Sequence, residues 1–473
     1  MDVYAKILKL LIQKIEDYDK ALLSGIFIRI YLRGMRDKEL PLSSDEMDAI
    51  ILQLMNVGID GCGEPQEVEA MGRKSRYPNH IPALKPTTKE RRPFIVADME
   101  TILINNVHVP YATGFIALRP GEDIGEYSDD GFVKYFSEDS CFFIDEFKDR
   151  SDHMLFSFLE HLAMVTAQNQ IQTIYFHNFS RFDGILLMKY YASRPDKGYN
   201  IKPLTRNLKL YELSVYKGRK RLFRLRDSYA LLPSSLATLA KTLCPQLGSK
   251  GSIPHDEVRV SNLMDLREQL LDYMIQDIRL LGGVMLKAQD IYWNQYKVDI
   301  ENCLTFPTLA MTIFRTNYYN PISWPIHIPS RNEDTFIRCG YYGRHADTYK
   351  PYGENLYYYD VNSLYPYVMK SCPMPGGTPV WHANLEGQEL SNLYGFIEAY
   401  VVCPSTIKRP FLPYRDHNDT LLFPTGKFVG AYFSEELIYA RDLGYKIFPI
   451  RGYLFDKKPR PFGSFVTSIF ERR

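Results

Sequence analysis

The stretch FIVADMET, residues 94–101, sets two carboxylates one residue apart at the end of an apolar run. Phe94, Ile95, Val96 and Ala97 read as a strand buried on both faces. Side chains along a strand repeat every second residue, so Asp98 and Glu100 point to the same side. Two like charges held together at a strand end need a compensating cation. Whatever the chain folds into must supply one there.

More acids occur in suitable places downstream. HNFSRFDG puts Asp183 just after a strand-like segment and at the start of a helix. YMIQDIRLL puts Tyr273 and Asp277 four apart, hence on one helix face. If these segments converge, four acids surround one point. Oxygen-only ligands favour hard ions such as Mg2+ or Mn2+. Two such ions, roughly 4 Å apart, activate a water and stabilise the leaving oxygen of a phosphodiester.

A chain of 473 residues, 45% apolar and 24% charged, should form two or more globular domains. No apolar run approaches the roughly 20 residues of a membrane-spanning helix, so no membrane partner is expected. A net charge of +1 neither requires nor excludes nucleic acid, because a groove can be basic on a neutral molecule. The seven cysteines are dispersed without a CxxC pair, which argues against a disulfide framework or a zinc site. The 35 tyrosines have two readings, base-stacking surfaces or a biased genome.

Residues 1–62 read as a helical extension, with a capping box at Ser43 and Glu46 and a stop at Gly58. Its acids set it apart from a transit peptide. Residues 63–93 read as a basic, Pro-rich linker. Residues 94–296 mix strands and helices, with a hairpin turning at Lys217-Gly218, a short helix in SSLATLAKTL and a long one over 261–296. Residues 297–352 read as an irregular connection. In 353–473, NLYYYDVNSLYP reads as a strand stopped by a proline, and FSEELIYARDLG as a helix capped by Ser434 and ended at Gly444.

DMET, HNFSRFDG and YMIQD resemble the three exonuclease motifs of family B DNA polymerases, most of all the protein-primed branch with its mitochondrial linear-plasmid members. SSLAT (234–238) resembles that branch's single-strand-binding motif, KGSI (250–253) its catalytic-lysine motif, and DVNSLYP (360–366) its polymerase motif A. The resemblance implies an α/β (α+β) fold: a ribonuclease-H-like 3′-5′ exonuclease domain followed by an incomplete polymerase palm. It implies that Asp98, Glu100, Asp183 and Asp277 hold two metals, Mg2+ or Mn2+. It gives Tyr273 the task of orienting water or phosphate, and Lys250 that of offsetting transition-state charge. Thr101, Asn178, Phe182, Ser235 and Leu236 would hold a frayed 3′ end. His177, beside Asn178, is read as a locally satisfied strand histidine. A strand would deliver Asp360 to a nucleotide-carrying metal, Ser363 and Leu364 would face the triphosphate, and Tyr365 would lie beneath the sugar. The implied partners are primer-template and single-stranded DNA, dNTPs and a terminal protein. A monomer in the mitochondrion is expected.

Two departures qualify this. GYYGRHADTY (340–349) matches a template-binding element at Tyr341 and Gly343, but Arg344 replaces its second glycine. Residues 367–473 contain neither a lysine-bearing fingers helix nor an Asp-Thr-Asp strand. Asp360 therefore lacks a partner carboxylate in this chain, and polymerisation by it alone is not expected. A metal-dependent exonuclease acting alone and an inert DNA- or terminal-protein-binding remnant stay open as alternatives.

Overall fold

The computed structural model describes residues 79–139, 144–192, 198–253, 257–343, 352–357, 359–418 and 420–471. The extension read over 1–62, the linker residues 63–78 and Arg344 lie outside them.

Seven strands form the larger sheet: β1 (Phe94–Ile104), β2 (Val107–Leu118), β3 (Val133–Phe136), β4 (Thr173–Phe176), β5 (Tyr199–Arg206), β6 (Lys209–Lys217) and β7 (Lys220–Asp227). Their spatial order is 3-2-1-4-7-6-5. β1 pairs antiparallel with β2 and parallel with β4, and β4 pairs parallel with β7. Phe94 to Ala97 are at most 1% exposed, because β1 is covered on both faces and both edges. The β6–β7 hairpin turns at Gly218, whose φ of +59° suits a residue without Cβ.

A parallel neighbour requires a crossover, here α1 (Phe147–Gln168) between β3 and β4. With α2 (Asp183–Ala192), α1 covers the face bearing Ile95, Ala97 and Met99. After α3 (Ser228–Leu231) and α4 (Leu236–Leu243), the long α5 (Arg267–Tyr296) covers the face bearing Phe94 and Val96. Gly282 and Gly283 let α5 close down. A Cβ on Gly282 would stand 2.3 Å from Ile124 Cδ1, and one on Gly283 2.3 Å from Leu247 Cδ1. At the far end of the parallel strands, buried Glu301 accepts from Arg92, Arg224 and the Thr173 hydroxyl.

Residues 297–352, read as irregular, contain α6 (Phe306–Asn317) and α7 (Arg331–Cys339). Thr305 caps the first through Thr308 N–H, and Ser330 with Glu333 forms a capping box on the second. Residues 79–93 run along this region: Ile81 N–H donates to Ile326 C=O and Leu84 N–H to Arg315 C=O.

The described residues of NLYYYDVNSLYP do not form a strand. Ser363 takes a left-handed conformation (φ +56°) and α8 (Leu364–Ser371) follows, with Pro366 in its first turn, where a missing N–H is tolerated. Strands are made by neighbours, and among the described residues none pairs with this stretch; Tyr352, Tyr357 and Tyr359 are each more than 80% exposed.

A second, antiparallel sheet joins β8 (Met374–His382), β9 (Gly395–Cys403), β12 (Gly426–Phe433) and β13 (Lys446–Lys458) in the order 12-9-13-8. The small pair β10 (Tyr414–Arg415) and β11 (Leu421–Leu422) lies between β9 and β12 in sequence. β9 buries every second residue against α9 (Ser434–Asp442) and its surroundings. Ser434, read as a cap, instead accepts the Gly395 N–H at 3.2 Å; Glu436 accepts that of Phe433. The chain's last described helix is α10 (Gly463–Glu471).

Candidate active site

β1 and α5 bring three of the four acids together. Carboxylate oxygens of Asp98, Glu100 and Asp277 all lie within 4.8 Å of one another. Asp98 and Glu100 share a strand face, and α5 crosses that face with Asp277 turned toward it. Asp277 is 4% exposed and Glu100 9%.

Asp183 stands at the first turn of α2, outside that triple but within electrostatic reach of Asp98. Its Oδ1 is buried and accepts no hydrogen bond, an acceptor without a donor where a cation would serve. The following Gly184 is obligatory in size: a Cβ there would meet Phe179 C=O at 2.7 Å.

Three of the acids, Asp98, Glu100 and Asp183, are held toward their neutral forms. Burial, then the charge on Asp277, pushes Asp98 up to about 7, against the pull of Lys250. Burial and the neighbouring carboxylates push Glu100 and Asp183 well up too. Lys250 brings a cation to the acids: its Nζ is 2.5 Å from Asp277 Oδ2 and 5.5 Å from the centre of the Tyr273 ring. Burial works against its charge, but the bond to Asp277 prevails and raises its pKa. Tyr273 is also pushed up, by burial and by Asp277. Ionised, the three clustered carboxylates outweigh the charge of Lys250, and oxygen-only ligands suit a hard divalent cation.

The other expected residues fall into groups. Thr101 Oγ1 is 3.0 Å from His108 Nδ1, and the His108 ring meets Phe182 edge-on at 4.9 Å. His108 thus links β1 to the HNFSRFDG loop, a contact no local sequence pattern announces. Asn178 adopts φ +65°, which turns the chain from β4 into that loop. His177 Nδ1 lies 3.0 Å from Ser228 Oγ, and burial lowers its pKa. Ser235 caps α4 through Thr238 N–H, and Leu236 is buried behind it.

Asp227 was not singled out by sequence reasoning, yet it organises the loop. It ends β7 opposite Phe176, is 2% exposed, and accepts from Ser180 N–H at 3.0 Å and Ser180 Oγ at 2.6 Å. The Asp-Ser pair at a strand end, a cap for the Tyr229 N–H, was the available signal.

The polymerase-motif residues do not join this cluster's described geometry. Asp360 is exposed on the unpaired segment before α8, not on a strand, and Leu364 and Tyr365 are about half exposed (45% and 55%). Tyr341 is 69% exposed and Gly343 has φ +69°. Between them Tyr342 is the anchor: it stacks on Tyr432 and donates to Ala431 C=O at 3.1 Å.

Comparison with known proteins agrees with this architecture. Phi29 DNA polymerase, solved in complex with primer-template DNA and incoming nucleotide substrates, superimposes with a TM-score of 0.60 at 18% identity, over 80% of this chain and 64% of that one. The fold is therefore that of an α+β DNA polymerase with an exonuclease-type sheet domain, as the motifs led us to expect. A family model described as DNA polymerase type B, organellar and viral, matches residues 164–264 and 259–473, and the chain belongs to that family. A probable DNA polymerase of Podospora anserina is 32% identical over 277 residues, 52% of this chain and 23% of that protein. One from Neurospora intermedia is 29% identical over 353 residues, 63% of this chain and 35% of its own length. The DNA polymerase of Bacillus phage B103 is 28% identical over 327 residues, 62% of this chain and 54% of that protein. The chain thus spans about a quarter to a half of these relatives. Family membership implies divalent metal cofactors, and the acidic triple is a place to hold one.

Proposed function

We propose that this chain is the exonuclease-bearing part of a protein-primed DNA polymerase, and that the acids on β1, α2 and α5 hydrolyse the 3′-terminal phosphodiester of DNA. The meeting of Asp98, Glu100 and Asp277 within 4.8 Å, with Lys250 bonded to Asp277, carries this reading. Asp98, Glu100, Asp183 and Asp277 would hold Mg2+ or Mn2+, two ions per site. Such ions supply Lewis acidity to the attacking water and the leaving oxygen. Lys250 offsets charge on the phosphate oxygens, and Tyr273, beside it, orients water or phosphate. Thr101, Asn178 and Phe182 from one side, and Ser235 and Leu236 from the other, steady the terminal nucleotides, the Phe182 ring by stacking.

Substrates and partners follow the family. The Phi29 enzyme is described with primer-template DNA, nucleotides and single-stranded DNA, which supports DNA ends and dNTPs here. Asp360, Ser363, Leu364 and Tyr365 would serve the nucleotide, and Tyr341 and Gly343 the template. A terminal protein as primer, a monomeric state and a mitochondrial setting complete the proposal; the organellar family and the fungal relatives support the setting. A magnesium-dependent assay on single-stranded DNA tests the nuclease. Shortening from the 3′ end that disappears in Asp98→Ala and Asp183→Ala is expected; equal, slow loss in all three chains would overturn it.

One observation favours a second reading, a nuclease working without polymerisation: Asp98, Glu100 and Asp277 lie together while Asp360 is exposed outside any strand. Primer extension with dNTPs by this chain separates the two.

A further inference from the structure

The β5–β6 edge of the large sheet carries a charge that the cluster of acids does not explain. Residues 199–221 contain seven Lys or Arg and one acid, Glu212. That acid is already used: its Oε2 accepts from Arg226 Nε at 2.8 Å and its Oε1 from Ser214 Oγ at 2.9 Å. The seven cations are exposed, and among the described residues none forms a salt bridge. Three lysines lie over tyrosine rings instead: Lys202 on Tyr216 at 4.6 Å, Lys209 on Tyr211 at 5.4 Å and Lys217 on Tyr199 at 5.6 Å.

Register fixes where this charge points. Val96 pairs with Tyr175, Tyr175 with Arg226, Arg226 with Glu212, and Glu212 with Leu204. Paired residues share a sheet face, so Leu204 and Lys202 lie on the same face as Val96, Asp98 and Glu100. Four strand spacings, roughly 19 Å, separate β5 from β1. The Arg206–Lys209 turn lies at the same end of the sheet as Asp227 and the acids, because β6 runs antiparallel to β7. Lys217, Arg219, Lys220 and Arg221 lie at the other end of β6 and β7. Positive charge therefore runs along the edge strand and ends level with the acidic site. Leu204 and Leu208, both exposed, interrupt it with apolar contact surface.

We propose that the β5–β6 hairpin is a phosphate-backbone track that holds single-stranded DNA on its way to the acidic site. The proposal rests on the reading of that site as a 3′-5′ exonuclease. Unpaired cations match a polyanion, and the partly exposed rings of Tyr216 and Tyr211 beside Lys202 and Lys209 suit bases, which all offer a π face. An acidic protein would match the charge as well, but it would not use the rings of Tyr211 and Tyr216.

The test uses the full chain and its K202A/R206A/K209A and R219A/K220A/R221A variants, each checked for wild-type circular dichroism and thermal midpoint. Fluorescence anisotropy with oligo-dT is read across a salt series. Each lost phosphate contact on a single strand lowers the salt slope by about 0.7, so each triple variant should lose about 2 from the slope and at least tenfold in affinity near 0.1 M salt. Hydrolysis of a 20-nucleotide strand should show a KM raised about tenfold, with that of a trinucleotide unchanged. Wild-type affinity and slope in both variants would overturn the track, as would lost binding of an acidic polypeptide with DNA binding intact. Binding is read without catalysis. A wild type that binds with the expected slope change but never cleaves leaves the track standing and removes the nuclease; cleavage with unaltered slopes does the reverse.

Discussion

Lys250 Nζ lies 2.5 Å from Asp277 Oδ2, so an ammonium reaches the acidic site from the loop after α4 and meets an acid on α5, 27 residues later. It holds part of the charge that β1 brings. Replacing it removes that ammonium from the carboxylates while the fold, whose hydrophobic core lacks this side chain, persists. Lys250→Gln should lower kcat for single-strand hydrolysis by about 10²-fold or more, with little change in thermal midpoint. Single-turnover kinetics with circular dichroism checks both.

Without metal, Asp98, Glu100 and Asp183 oppose folding at neutral pH. The folded pKa of Asp98 is raised from 3.8 to about 7, so the native state binds a proton that the unfolded state has released. Its contribution to stability is present below about pH 4 and is lost as pH rises through 7. In metal-free buffer, Asp98→Asn should be more stable than wild type by about 1–3 kcal/mol at pH 8, the gap closing near pH 4. Magnesium should reverse the order at pH 8, by binding only the wild-type site well. Urea titrations with and without chelator measure it.

Asp227 fixes the HNFSRFDG loop from across β7. Asp227→Ala leaves Ser180 N–H, Ser180 Oγ and Tyr229 N–H without their acceptor. A loss of about 2–4 kcal/mol is expected from chemical denaturation. Hydrolysis should fall with it, because Asp183 follows Ser180 by three residues.

Gly184→Ala places a methyl 2.7 Å from Phe179 C=O and 2.8 Å from Leu210 Cδ2. Backbone cannot give way cheaply there. A loss of about 1–3 kcal/mol is expected, together with slower hydrolysis as Asp183 shifts.

The acids on β1 and α5 were legible because their geometry is local: period two on a strand and four-residue spacing on a helix. The hairpin at Gly218 was legible for the same reason. Asp227 and His108 were not, since each works by reaching another segment. The helices at Phe306 and Arg331 had readable caps, Thr305 and Ser330 with Glu333, but the prolines and tyrosines around them pointed to irregular chain. Asp360 shows the opposite error. Its aromatic surroundings suit a strand, but a strand exists only where another pairs with it, and among the described residues none does.

The most direct measurement is anomalous scattering from crystals of the chain soaked in Mn2+. Manganese between the carboxylates of Asp98, Glu100 and Asp277, absent in Asp98→Ala crystals treated alike, is the expected result. Manganese elsewhere only, with those carboxylates bound to Lys250 and water, would contradict it.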